Sequence, residues 1–159
     1  MGNDRSLAGR VKSAVDGITD PDELVRKTVR EIHESSKQND WTGIYLVDGE
    51  ELLLHSFLGA PSPHVRIPIG SGICGAAASM EKTIIVPDVK KDTRYLACSL
   101  ETRSEIVVPI FRDGKVVGEI DIDSHTLDAF GNEDRESLEE VARFIASRLP
   151  ENNKEGKNQ

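Results

Sequence analysis

The chain has 159 residues, 37% hydrophobic and 30% charged, the size and balance of one soluble globular domain. A net charge of −8 and a pI near 5.0 argue against a nucleic-acid binder, which needs a basic surface. The longest apolar run, Ile106–Phe111, is too short to cross a membrane, and the start MGNDRSLAGR lacks the apolar core of a secretory signal. Two cysteines, Cys74 and Cys98, are too few for a disulfide scaffold and fit a reducing, cytoplasmic location.

Leu7, Val11, Ala14 and Val15 recur at helical spacing, with Gly17 placed to stop the helix. Asp20-Pro21-Asp22-Glu23 supplies a cap, a first-position proline and an acidic first turn for a second helix, whose apolar stripe is Leu24, Val25, Thr28, Val29 and Ile32. The period then changes. GIYLV (43–47) and ELLLHSFL (51–58) flank Asp48-Gly49 as a hairpin, and EIVVPIF (105–111) and KVVGEIDID (115–123) flank Arg112-Asp113-Gly114 as a stronger one. Between them lie a short helix at 75–82 and a short strand at 83–86. A last helix is expected from Asn132, as its cap, to Leu149, with Pro150 ending it. The division is therefore an N-terminal helix in 1–19, one domain over 20–149 and a disordered polar tail at 150–159. Hairpins joined to terminal helices predict an α/β layered domain of the α+β type with a mainly antiparallel sheet, not a doubly wound parallel one.

Gly70-Ser71-Gly72-Ile73-Cys74-Gly75 matches the dinucleotide-binding pattern G-x-G-x-x-G letter for letter. That chemistry needs a βαβ unit with a long crossover helix. Here about two turns separate the glycines from the next apolar run, and Pro68 interrupts the preceding strand. A tight turn into a short helix is the expected reading.

Along 115–123, Ile120 and Ile122 share one face of the strand, and Glu119, Asp121 and Asp123 share the other. The acidic face either meets solvent or forms a site, and the register of the hairpin decides which acids meet. A two-residue turn at Asp113-Gly114 puts Glu105 opposite Ile122. A three-residue loop puts it opposite Asp121, and a bulge near Pro109 shifts the register again. Carboxylates opposed across strands ask for a cation, a shared proton or a metal. Cys74, between glycines near a helix N-terminus, stands where a thiol pKa can fall, whereas free cysteines are often buried hydrophobes. His33 and His55 lie in periodic segments, His64 and His125 in loops. No histidine pair has zinc-ligand spacing, and no metal is expected.

Taken together, DWTGIYL (40–46), VRIPIGSGICGAA (65–77), LAC (96–98), SEIVVPI (104–110) and GEIDIDS (118–124) resemble the free methionine-(R)-sulfoxide reductase family, built on a single GAF domain. The resemblance implies about six antiparallel strands, with the terminal helices on one face and a ligand pocket on the other. It implies Cys98 as the nucleophile and Trp41, Tyr45, Glu105, Asp121 and Asp123 as substrate-pocket residues. The product is free methionine and a sulfenic acid, which a second thiol, Cys74 being the candidate, converts to a disulfide. No bound cofactor is implied. The implied partners are free methionine sulfoxide, a thioredoxin-like or dithiol reductant and a second copy in a homodimer. His64 stands where the family keeps its recycling cysteine, and Ser99 replaces the acidic residue common after the nucleophile. A non-catalytic GAF sensor of a small molecule is the rival reading, and a metal site at the carboxylates is a third.

Overall fold

The computed structural model describes residues 4–96 and 99–151. Cys98 and the greater part of the expected polar tail, 152–159, lie outside the described residues.

Helix α1 (Leu7–Ala14) opens with the Ser6 hydroxyl accepting from the Gly9 amide at 3.0 Å, and Gly17, at φ 79°, turns the chain after it. Helix α2 (Pro21–Glu34) starts as expected, its Asp20 cap accepting from the Glu23 amide at 3.0 Å. Two long hairpins follow: β1 (Trp41–Asp48) with β2 (Glu51–Leu58), and β5 (Ser104–Arg112) with β6 (Lys115–Ser124). Between them come β3 (Arg66–Pro68), α3 (Gly72–Met80) and β4 (Ile84–Val86). The chain ends in α4 (Asn132–Ile145) and a short 3₁₀ turn at Ala146–Arg148. Asn132 is the first residue of α4 rather than its cap. Gly131 caps it, with the Asp134 carboxylate accepting the Gly131 amide at 2.9 Å, because an N3 acid reaches back to that donor.

The six strands run β3-β2-β1-β6-β5-β4, every neighbouring pair antiparallel. One face carries Ile44, Ile106, Val108, Ile110, Ile120 and Ile122 against the apolar stripes of α1, α2 and α4. The other carries Trp41, Tyr45, Leu52 and Val107 against Ile73, Cys74 and the alanines of α3. The glycine motif resolves as a turn: Gly70 (φ 100°) donates to the Gly75 carbonyl at 2.9 Å, α3 has nine residues, and β3 is an antiparallel edge strand. It is no crossover unit.

The β5–β6 hairpin takes neither register expected from its loop length. Asp113 (φ 52°) and Gly114 (φ 77°) form a two-residue left-handed turn pairing Arg112 with Lys115. Beyond it Phe111 pairs with Val116 but Ile110 with Gly118, so Val117 is an extra, bulged residue. That single residue moves Glu105 from opposite Ile122 to opposite Asp123.

Candidate active site

The pocket face of the sheet is ordered in three rows. Trp41, Asp123 and Glu105 are cross-strand neighbours on β1, β6 and β5; Gly43, Asp121 and Val107 form the next row; Tyr45, Glu119 and Pro109 the third. The solvent-facing alternative for the acids is overturned: Glu105, Glu119, Asp121 and Asp123 are at most 4% exposed, because α3 and the loops beside it cover this face. Gly43 gives the indole room. A Cβ there would lie 2.4 Å from the Trp41 ring, so the ring lies across Gly43. Trp41 stacks on Phe57 at 5.8 Å between centroids and stands 6.5 Å from the Tyr45 ring. The Tyr45 hydroxyl donates to the His64 carbonyl at 2.9 Å, tying the loop before β3 to the sheet.

Four buried acids this close cannot all ionise. Glu105 hydrogen-bonds with both Asp121 and Asp123. Burial first, then the charges of Asp121 and Asp123, push its pKa well above the usual range, which favours its protonated form. Burial likewise raises Asp123 well above its ordinary value, reinforced by Asp121, and raises Asp121, against donors from Glu105 and Cys74 that favour its charged form. Glu119 is raised well above its ordinary value by burial and then by Asp121. Both its oxygens, Asp121 Oδ1, Asp123 Oδ1 and the Trp41 Nε1 are buried with no hydrogen-bond partner among the described residues. No ion pair among the described residues reaches any of these acids.

Cys74 donates to Asp121 Oδ2 at 3.3 Å and is buried. Of the two readings of Cys74, the buried one holds, and the lowering that a helix N-terminus can give is reversed: burial, then the charges of Asp121, Glu105 and Glu119, push the thiol well above its ordinary value. The helix N-terminus is outweighed by desolvation and three acids. Donor atoms of Cys74, Glu105 and Asp121 lie within 4.8 Å of one another, spacing that suits one small cation, and an amino-acid ammonium is such a cation.

These groups line a cavity of about 20 Å³, room for about one water molecule, walled by Tyr45, His64, Ile73 and Leu96. Leu96 packs onto Gly72, where a Cβ would sit 2.8 Å from the Leu96 Cδ1. Larger depressions, of about 220 and 710 Å³, lie against the terminal helices and are lined by none of the four buried acids. Of the expected site residues, Tyr45, His64, Cys74, Glu105 and Asp121 line this cavity, and Trp41 and Asp123 stand beside it in the row of Glu105. Cys98 lies outside the described residues. Glu119 was legible as a neighbour through strand alternation, although its burial was not.

The GAF domain family model matches residues 20–149. The chain belongs to the GAF domain family. GAF domain-containing protein A of Dictyostelium discoideum is 43% identical over 106 residues, 66% of each chain. The free methionine-R-sulfoxide reductase of Saccharomyces cerevisiae is 44% identical over 110 residues, 67% of this chain and 61% of that one. The matched segment thus spans somewhat less than two thirds of these relatives' length. Among solved structures, free methionine-R-sulfoxide reductase from Neisseria meningitidis, in complex with its substrate, superposes with a TM-score of 0.85 at 36% identity, covering 90% of this chain and 86% of that one. The expected GAF-like fold and the resemblance to this reductase family are both borne out.

Proposed function

We propose that this protein reduces free L-methionine (R)-S-oxide to L-methionine in the cytoplasm, using thiols and no bound cofactor. The observation that carries the proposal is the buried Glu105–Asp121–Asp123 cluster beside the Trp41 ring: three acids on one face of the sheet, with no cationic partner among the described residues. A free amino acid supplies the missing ammonium group. A methionine within a peptide offers only an uncharged amide and leaves the aspartates unpaired, which is strong discrimination in a dry site.

In this reading Asp121 and Asp123 hold the ammonium, and Trp41 and Tyr45 form the wall for the methyl-sulfinyl end. The Cys98 thiolate attacks the sulfoxide sulfur while Glu105 protonates the oxygen. The sulfoxide sulfur gains two electrons and becomes a thioether. Cys98 loses them and keeps the oxygen as a sulfenic acid, Cys98–SOH; the proton that Glu105 gives to that oxygen is replaced by the one the Cys98 thiol releases, so the balance closes. Cys74 then displaces the hydroxyl as water, forming a Cys74–Cys98 disulfide that an external dithiol, of the thioredoxin type, reduces. Histidine forms no disulfide, so His64 leaves resolution to Cys74. The cavity holds about one water's volume, so substrate binding requires its walls to widen. A homodimer through the terminal helices completes the proposal.

Turnover of the free and the peptide-bound sulfoxide, each as both epimers and with a dithiol present, tests it. Reduction of the free (R) epimer alone is the expected result. Binding of the free sulfoxide without reduction would instead identify a GAF ligand sensor.

A further inference from the structure

Asp121 has two oxygens in two different situations. Oδ2 accepts the Cys74 thiol at 3.3 Å, Oδ1 is buried with no hydrogen-bond partner among the described residues, and Asp121 lines the cavity beside Cys74 and Glu105. One carboxylate therefore touches both the resolving thiol and the binding site. We propose that Asp121 is the base that activates Cys74, and that an ammonium group on its other oxygen holds this base in check until methionine has left. The inference rests on the reductase reading and adds an order of events to it.

The chemistry requires a base at this point. A thiol must lose its proton to attack sulfur, and Cys74 is buried among acids that disfavour its thiolate. No histidine or amine among the described residues hydrogen-bonds Cys74; its partner is Asp121. The resolving step is balanced as follows. The Cys74 proton passes to Asp121 Oδ2, Cys74 Sγ bonds to Cys98 Sγ, and the Cys98 sulfur–oxygen bond breaks. The oxygen leaves as water with the proton of Glu105, and Asp121 returns a proton to Glu105 through the hydrogen bond between them. Cys98–SOH and Cys74–SH become a disulfide and water, with no net proton change. The Leu96 side chain packs on Gly72, two residues before Cys74.

The order follows from electrostatics. An opposite charge against a carboxylate favours its ionised form by about one to three pKa units, which weakens it as a base by about tenfold or more. While methionine remains, its ammonium occupies Oδ1 and Asp121 is a poor acceptor for the thiol proton. Once methionine leaves, the buried, uncompensated carboxylate takes that proton readily. The disulfide thus closes behind the departing product rather than on top of it.

Hydrogen peroxide separates this step from the reductase reaction, because it forms the Cys98 sulfenic acid without any sulfoxide. Reduced protein receives one equivalent of peroxide, and disulfide closure is followed by acid quench, alkylation and mass spectrometry. Saturating free methionine is expected to slow closure at least about tenfold in the native protein. Asp121→Asn, which keeps an acceptor for the thiol but takes no proton, is expected to close slowly at neutral pH. It is expected to regain speed as pH rises and to lose its response to methionine. Closure at the same rate with and without methionine, native-like closure in the Asn variant, or no Cys74–Cys98 disulfide at all would each overturn the proposal. Failure to turn over methionine sulfoxide would count against the reductase reading alone, since peroxide-driven closure in the Asn variant still reports on the base.

Discussion

Strand β6 has two faces built to opposite ends. Toward the helices, Ile120 and Ile122 are at most 2% exposed in the apolar layer shared with α1, α2 and α4. Toward α3, Glu119, Asp121 and Asp123 are equally buried, yet four of their oxygens have no hydrogen-bond partner among the described residues. The first face stabilises, each buried aliphatic side chain contributing about 1.5–3 kcal/mol. The second destabilises, since buried polar atoms without partners cost about 1–3 kcal/mol each. Burial alone therefore says nothing about purpose. What distinguishes a core from a site is whether the buried groups are satisfied without a ligand.

The sharpest way to break the comparison is chemical. Cys98→Ser should abolish methionine formation while leaving the melting temperature within about 1 °C, because serine is nearly isosteric with cysteine. Retained turnover would remove the enzymatic reading. Next in size is the helix-side face: Ile120→Ala should cost about 3 kcal/mol in denaturant unfolding, with the surviving folded protein still active. On the acidic face the signs reverse. Glu105→Gln and Asp123→Asn should each lower kcat/KM at least about tenfold, about 1.4 kcal/mol, with little loss of stability. Glu119→Leu should raise unfolding stability by about 1–2 kcal/mol, as replacing a buried acid by an apolar group of similar size often does. Its effect on kcat/KM should be the smallest of the acidic positions.

The same face sets a pH dependence. Folding raises Glu105, Glu119 and Asp123 well above their ordinary values of 4.5, 4.5 and 3.8. A raised folded pKa means that the folded form holds its proton more tightly, so this contribution to stability is complete below the ordinary value and is lost as pH rises through the folded one. Melting temperature of the ligand-free protein should accordingly fall as pH climbs above about 4.5. Glu119→Leu should flatten that slope, and free methionine should offset it. A melting temperature rising steadily from pH 5 to 8 would show that other groups dominate.

Much of this was legible before any coordinates. Helical spacing located α1, α2 and α4, and the two hairpins followed from alternation around Asp48-Gly49 and Asp113-Gly114. The acids shared a face by simple alternation, and the glycine motif was correctly read as a turn because too little chain follows it for a crossover helix. Two things were not legible. Local propensity does not reveal a bulge, so the pairing of Glu105 with Asp123 escaped both loop-length registers. Nor does it reveal what covers a strand: only the packing of α3 shows that the acids are dry, and the same packing reverses the expected shift at Cys74. The cap of α4 moves by one position to Gly131, whose amide donates to the Asp134 carboxylate three residues on.

Val117 makes no direct pair across the hairpin, yet without it Glu105 would face Ile122. The position informs the fold by its presence more than by its identity, since one extra link of backbone is what brings the acids into one row. Chain length is thus inherited information here in the way a side chain is elsewhere. Val117 is half-buried against the helix-side core, so an apolar side chain of similar size serves there as well. A deletion between Val116 and Gly118 is different in kind: it would leave every named acid in the gene and dissolve their meeting place in the protein.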